Sequence, residues 1–138
     1  MLAPHETLRT QAGATDRYSA ASDGLLNHGQ GHPRAAGTFP RMLGRFVRER
    51  RLLSLNQAIA KMTVQPARMA GIPKGTLEPG ADADITIFDP QTIIDRATFR
   101  DPLVAPLGIE QVLINGEPVL VREKLLYSNR GKALRPER

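Results

Sequence analysis

The spacing of apolar residues in the first half of the chain predicts a helix from about Pro40 to Arg51. Apolar side chains recur there every three or four residues, and proline suits a first helical turn, where its missing amide needs no partner. The apolar stripe consists of Phe39, Leu43, Phe46 and Val47. Another face carries arginines and is interpreted as a solvated helix surface. These arginines are Arg41, Arg45 and Arg48.

Two further helices are predicted from signals at their ends. Ser54 and Gln57 have the spacing of a capping box, in which each side chain bonds the backbone amide of the other residue. A stripe that we expect to be buried follows, formed by Leu55, Ala58, Ile59 and Met62. Residues Pro66 to Ala70 are interpreted as a short helix, and Gly71 is expected to end it in the left-handed conformation.

The segment before these helices is rich in turn-forming residues. Tyr18 to Ala21 is strand-like and leads into Ser22-Asp23-Gly24, where glycine indicates a turn. Residues 24–38 are rich in glycine and contain Pro33, and this composition predicts a loop.

The second half of the chain has the alternation of β-strands. Residues 84–89 alternate between two faces and end at Pro90. Within Gln111–Val121, two apolar runs flank Asn115-Gly116, a dipeptide preferred in two-residue hairpin turns. Because Pro118 has no amide donor, its strand is expected at a sheet edge or with that position facing outward. Helices followed by strands suggest a small α+β domain by pattern alone.

Composition indicates a globular protein and excludes several classes. Of 138 residues, 41% are hydrophobic and 24% are charged, and cysteine is absent, which rules out disulfides and thiolate metal sites in this sequence. No apolar run approaches the roughly 18 residues of a membrane helix. A cytoplasmic protein without membrane contact is therefore expected.

The net charge of +5 resides at the two ends of the chain. Residues 1–51 carry 8 basic and 4 acidic side chains, residues 122–138 carry 6 and 2, and residues 72–121 carry 3 and 8. Aromatic residues amount to only 4%, so few nucleobases could be stacked. A basic nucleic-acid binder therefore remains only a minor hypothesis, and no nucleic-acid partner is expected.

Three stretches together resemble one family. The first runs from Ser22-Asp23-Gly24 through the glycine-rich loop to residues 32–43, HPRAAGTFPRML. The second lies within residues 53–68, and the third comprises residues 75–90 and 112–117. Together they resemble the C-terminal portion of the N-acyl-D-amino-acid deacylases (D-aminoacylases), a branch of the amidohydrolase superfamily. The third stretch is common to many amidohydrolases, whereas the first points to the D-amino-acid branch.

This resemblance implies an α/β fold. The chain would be the C-terminal fragment of an amidohydrolase (β/α)8 barrel, with its last strand and outer helices, joined to part of a small β-sandwich. Residues 1–17 would be a poorly ordered N-terminal segment, and residues 18–71 would be the end of the barrel, beginning with its last strand at Tyr18–Ser22. Residues 72–122 would be the β-sandwich portion and residues 123–138 a basic tail. A complete barrel takes about 250 residues, so a fragment is expected.

The resemblance also implies an activity and site residues. The activity is zinc-dependent hydrolysis of the amide bond of N-acyl-D-amino acids by metal-activated water, giving a carboxylate and a free D-amino acid. Asp23 matches the catalytic aspartate, which takes the proton of the water and delivers it to the departing amine. Arg34 matches an arginine that binds the substrate carboxylate through its guanidinium fork. His32 is expected to help shape the substrate-binding site beside Arg34.

Plainer interpretations of these residues stay open. An isolated Ser-Asp-Gly is ordinarily a turn, and Arg34 would then be a solvated loop arginine or the partner of a structural carboxylate. His28 and His32 are four residues apart, as in helical metal-ligand pairs, but Gly29 and Gly31 argue against a helix. They are interpreted as loop histidines without a metal role.

The zinc ligands that the resemblance implies are absent from the sequence. The family uses a His-x-His pair and a cysteine, and this sequence contains neither. The missing barrel portion is expected on another polypeptide, and the chain alone is expected to be inactive and to self-associate or aggregate through exposed edges and apolar faces. The alternative function is a non-catalytic β-sandwich or interaction module, or a truncated gene product without activity.

Overall fold

The structure, a computed structural model, describes residues 18–126 and 129–135, which form a helical half and a β half. A short hairpin comes first, with strands β1 (Leu26–Asn27) and β2 (Gln30–Gly31). The helical half contains α1 (Arg34–Arg41), a π-helix (Met42–Glu49) that continues it, α2 (Leu55–Met62) and α3 (Val64–Ala70). The β half is an antiparallel sheet in the order β3 (Ile85–Phe88), β4 (Ile109–Ile114), β5 (Glu117–Val121), β6 (Lys124–Leu125).

The first predicted helix exists, but it begins at Arg34 and not near Pro40, and from Met42 it continues as a π-helix. The prediction of a loop over residues 24–38 is wrong for the paired strands β1 and β2 and again from Arg34 onward. The amides of Ala35 and Gly37 already bond to the carbonyls of His32 and Pro33 at 3.1 and 2.9 Å. From Met42 the turns are wider, and the amide of residue 50 bonds to the carbonyl of residue 45.

Gly44 allows the β half to approach the π-helix closely. A Cβ at this position would lie 2.5 Å from the carbonyl oxygen of Ile93 and 2.6 Å from the Ile94 side chain. Any larger residue would force these two segments apart.

The arginine face of this helix is only partly solvated, and the prediction of a solvated surface is wrong for Arg41 and Arg48, which bond to the β half. Arg41 donates from Nε and Nη2 to Oδ2 of Asp95, at 2.9 and 2.5 Å. Arg48 donates from Nη1 to the carbonyl oxygen of Ile93 at 2.6 Å. Only Arg45 of the three follows the prediction, with Glu49 at 4.0 Å. Residues Pro90, Ile93 and Asp95 of the β half bond to this face, which helical periodicity alone cannot reveal.

The end signals of α2 and α3 are confirmed. The amide of Gln57 donates to Oγ of Ser54 at 3.2 Å, and the amide of Ser54 donates to Oε1 of Gln57 at 2.9 Å, which completes the capping box. Helix α3 ends at Gly71, whose φ of 63° is left-handed.

The predicted β4–β5 hairpin is also confirmed. Asn115 and Gly116 both have positive φ, 53° and 80°, as a type I′ turn requires. Strand β6 pairs only with Leu120 and Val121, so Pro118 on β5 has no β6 residue beside it, as its missing amide demands. Strand β6 lies inside the segment predicted to be a basic tail.

The strand predicted at Tyr18–Ser22 is not formed. A strand requires a hydrogen-bonded neighbour, but this segment is bonded to α2 instead. The amide of Ala20 donates to the carbonyl of Lys61 at 2.9 Å, and Nζ of Lys61 donates to the carbonyl of Tyr18 at 3.1 Å. The barrel, the sandwich and the domain boundaries stay predictions, and the N-terminal segment 1–17 lies outside the described residues.

The core joins the two halves. Leu43, Leu53 and Ala58 of the helical half are buried against Ile93, which is 2% exposed. Around this cluster pack the partly buried side chains of Met42, Val47, Leu55, Met62, Phe88 and Ile109. Within residues 18–126 and 129–135, no helix has the length and apolarity that crossing a bilayer would require.

Candidate functional site

Two of the predicted site residues, Asp23 and Arg34, are in direct contact. Oδ2 of Asp23 lies 2.8 Å from Nη2 of Arg34. Asp23 has a left-handed φ of 44°, in a turn where the amide of Gly24 reaches Oγ of Ser22 at 3.4 Å. A Cβ on Gly24 would lie 2.6 Å from Cα of Ala35, so the turn packs tightly on the first turn of α1. This packing presents the Asp23 carboxylate to Arg34.

The guanidinium of Arg34 is only partly used by this contact. Arg34 is the first residue of α1, and its carbonyl accepts a hydrogen bond from Oγ1 of Thr38 at 2.8 Å. Its Nε is buried and has no hydrogen-bond partner. Because one carboxylate can bind Nε and Nη2 together, the contact with Asp23 uses only one of the two donors of this guanidinium edge.

His32, the third predicted residue, supports the start of α1. Its Nδ1 accepts a hydrogen bond from the amide of Arg34 at 3.0 Å, which satisfies one of the amides that a helix leaves unpaired at its first turn. The imidazole meets the ring of Phe99 edge to face, with centroids 4.9 Å apart and planes at 73°. His28 lies instead in the β1–β2 turn, outside the cavity described next.

These three residues line a cavity of about 480 Å³, a size that suits a small-molecule ligand. Its wall includes the segment 18–23, the start of α1 and part of the π-helix. The charged side chains of the wall are mostly basic: Asp23 is accompanied by Arg34, Arg41, Arg50 and Lys61. Two of these cations are paired with carboxylates, Arg34 with Asp23 and Arg41 with Asp95.

The sequence analysis did not identify Lys61 as a site residue. Its side chain is buried and fastens the segment 18–20 to α2, which forms one side of the cavity. The available signal was weak: a lysine three residues after Ala58, on the stripe expected to be buried.

The residues that the structure describes do not fit a zinc site. Among them, no group of three or more histidine, cysteine, aspartate or glutamate side chains could hold a metal ion. Three protein ligands is the number that catalytic zinc sites ordinarily use.

A second group of charged residues lies outside the cavity wall. Nζ of Lys74 donates to Asp82 and Asp84 at 2.6 Å each, and these bonds raise the pKa of Lys74. The Lys74 hydrogen bond, followed by one from the amide of Asn115, lowers the pKa of Asp84. This group connects the loop before β3 to the β4–β5 turn and is structural.

Comparisons with known proteins identify the family that the sequence motifs resemble. The sequence profile of the amidohydrolase family matches residues 4–120. Over 96 residues the chain is 53% identical to N-acyl-D-glutamate deacylase of Alcaligenes xylosoxydans xylosoxydans, covering 69% of this chain and 20% of that protein.

Two solved structures are also similar. The first is N-acyl-D-glutamate deacylase from Bordetella bronchiseptica, complexed with zinc and a phosphonate inhibitor that mimics the reaction's tetrahedral intermediate. Its TM-score is 0.80 at 45% identity, covering 86% of this chain and 25% of that one. The second is a crystal structure of D-aminoacylase, with a TM-score of 0.85 at 36% identity, covering 98% and 28%. The chain therefore spans only 20–28% of the length of these relatives.

Proposed function

Because this chain belongs to the amidohydrolase family, we propose that it supplies part of a site that hydrolyses the amide bond of N-acyl-D-amino acids. The products are a carboxylate and a free D-amino acid. The observation that carries the proposal is the contact of Asp23 with Arg34 in the wall of a mostly basic cavity. The substrate class comes from the names of three relatives: N-acyl-D-glutamate deacylase, D-aminoacylase and N-acyl-D-aspartate deacylase.

In this proposal, Arg34 binds the α-carboxylate of the substrate. Its Nη2 already binds one carboxylate, that of Asp23, and its buried Nε lacks an acceptor. A buried donor without a partner costs about 1–3 kcal/mol, and a substrate carboxylate that bound Nε would remove this cost. His32 contributes by accepting the hydrogen bond of the Arg34 amide and so fixing the start of α1.

Asp23 has the role of acid and base. Its side chain is 80% exposed, so it is accessible to water and to a substrate. When a substrate carboxylate replaces it on Arg34, the Asp23 carboxylate is released to accept the proton of the attacking water. It then returns that proton to the nitrogen of the departing amine.

The groups that hold the metal would come from residues other than those described here. Zinc is present in the Bordetella deacylase structure, whereas residues 18–126 and 129–135 of this chain offer no matching ligand cluster. We therefore propose that this chain works with the remainder of a (β/α)8 barrel, to which residues 18–71 contribute and to which residues 72–122 attach as part of a β-sandwich.

A chimera tests the proposal. The matching 96 residues of the Alcaligenes N-acyl-D-glutamate deacylase are replaced by those of this chain, and release of glutamate from its N-acetyl-D and N-acetyl-L forms is measured. Hydrolysis of the D form is expected. Asp23→Asn should lower kcat by about 10²–10⁴-fold, because proton transfer is lost. Arg34→Lys should mainly raise KM, because an ammonium cannot bind a carboxylate at two points.

Matched controls and the bound metal make the result decisive. Asp101→Asn and Arg45→Lys change similar groups outside the cavity wall and should leave both constants unchanged. If a folded, zinc-loaded chimera hydrolyses the D substrate equally well with Asp23→Asn, the proposed role of Asp23 is wrong. A folded, zinc-loaded chimera without activity would favour the non-catalytic module.

A further inference from the structure

Phe99 is an exposed aromatic residue with a specific contact. It lies in the loop between β3 and β4, its side chain is 73% exposed, and its ring meets the imidazole of His32 at 4.9 Å. Burial therefore gives little reason for a phenylalanine here, since most of its surface stays in water. We infer that Phe99 is a positioning residue that holds Arg34 in place through His32, an inference that rests on the proposed function of Arg34.

A short series of contacts connects Phe99 to the site. The edge-to-face geometry, with planes at 73°, restricts rotation of the imidazole. In the observed orientation Nδ1 of His32 accepts from the amide of Arg34 at 3.0 Å. A half-turn of the ring would replace this acceptor with a C–H group and leave the first amide of α1 unpaired. Arg34 in turn holds Asp23 at 2.8 Å.

The β3–β4 loop also contacts α1 farther along, so it acts on the helix at two places: through Phe99 at the start, and through Asp95 and Ala97 beyond it. Asp95 binds Arg41 at the last residue of α1, and Ala97 lies against Gly37, where an added Cβ would be 3.7 Å from that of Ala97. The Asp95 carboxylate is nearly buried, and its contact with Arg41 fixes the helix as a body. The Phe99 contact is exposed and acts on one ring, so its loss should disturb the site without unfolding the helix.

The experiment uses the full chain and nuclear magnetic resonance. Phe99→Leu keeps apolar bulk but removes the ring, whereas Phe99→Tyr keeps the ring. Leu77→Ala serves as the control, since Leu77 is 80% exposed and lies in another loop. Ring nitrogen and proton shifts of His32, assigned with His32→Gln, report the acceptor state of Nδ1 and the ring current of Phe99. Hydrogen exchange of the Arg34 amide reports its bond to His32.

The expected result separates positioning from stability. Phe99→Leu should shift the His32 ring signals and speed exchange of the Arg34 amide about two- to tenfold. This factor corresponds to the free energy of one aromatic contact. Phe99→Tyr should restore both values, and Leu77→Ala should change neither. Unfolding temperatures should agree between Phe99→Leu and Leu77→Ala.

Two results would overturn the inference. One is an Arg34 amide in Phe99→Leu that exchanges at the parental rate with unchanged His32 signals. The other is exchange that accelerates equally in α1, α2 and the sheet, which would mean that Phe99 only stabilises the fold. Because no substrate is involved, failure of Asp23→Asn to slow the chimera would contradict the proposed function and leave this measurement intact.

Discussion

At the scale of single residues, two requirements meet at Asp23. Its backbone has a left-handed φ of 44°, which aspartate tolerates better than most residues other than glycine. Its side chain must also reach Arg34, which glycine could not do. The turn and the contact with Arg34 thus select the same residue type, so a plain turn at Ser-Asp-Gly and the proposed role of Asp23 are compatible with one structure.

Arg41 is expected to contribute more to stability than Arg45, although the sequence pattern placed both on one face. Arg41 neutralises Asp95, whose side chain is only 7% exposed, whereas Arg45 and Glu49 are exposed and 4.0 Å apart. Arg41→Met should cost about 2 kcal/mol or more, because it leaves a nearly buried carboxylate without its partner. Arg45→Met should change the free energy of unfolding by less than about 0.5 kcal/mol.

Urea unfolding of the two variants measures this difference. Adding Asp95→Leu to Arg41→Met should recover part of the loss, since the unpaired charge is then gone. Equal destabilisation by the two arginine substitutions would show that the Asp95 contact has no special weight.

At the scale of elements, what could be predicted depends on the distance along the chain over which each signal acts. The Ser54 capping box and the Asn115-Gly116 turn are encoded within a few residues, and both were predicted with correct positions. The arginine face was misjudged because Arg41 and its partner Asp95 are 54 residues apart.

The same distinction applies to the site. Asp23, Arg34 and His32 belong to one contiguous motif that a family resemblance can identify, and the structure brings them together. Lys61 and Phe99 reach the site from α2 and from the β3–β4 loop. Neither could be found by reading the motif, because only the packing of distant segments puts them there.

The attachment of the loop before β3 to the β4–β5 hairpin should weaken in acid. Lys74 and the Asn115 amide lower the pKa of Asp84 in the folded state. Its contribution to stability is therefore fully present above its unfolded pKa of about 4 and is lost as the pH falls through the lower folded value. Asp84→Asn should reduce stability at pH 7 by less than about 1 kcal/mol, since the group is partly solvated.

Thermal unfolding of the parent and Asp84→Asn between pH 2 and 7 tests this assignment. The two curves should approach each other as the pH falls below about 4 and should meet only below the lower folded pKa of Asp84, where the parental carboxyl is neutral in the folded state as well. Glu110→Gln, an exposed carboxylate on β4, is the control and should track the parent. A gap that stays constant at every pH would mean that Asp84 acts through its shape and not its charge.

At the scale of the whole molecule, the described residues bury few large apolar side chains and leave many of them exposed. The buried hydrophobic residues of the described segments are few, and half of them are alanines: Leu43, Leu53, Ala58, Ala67, Ile93 and Ala97. Larger apolar side chains on the exterior include Leu25 at 80%, Met69 at 74% and Tyr18 at 56% exposure. Tyr18 also lines the cavity, so part of this apolar surface adjoins the proposed site.

The isolated chain is therefore expected to self-associate, since exposed apolar side chains of this size gain free energy when covered by protein, at about 25 cal/mol per Å². Sedimentation velocity over a range of concentrations should show species heavier than the 15.1 kDa monomer. Leu25→Ser combined with Met69→Ser should shift the distribution toward the monomer, whereas Arg45→Ser should not.

If the parental chain instead sediments as one 15.1 kDa species and melts cooperatively, its exposed apolar residues need no covering partner.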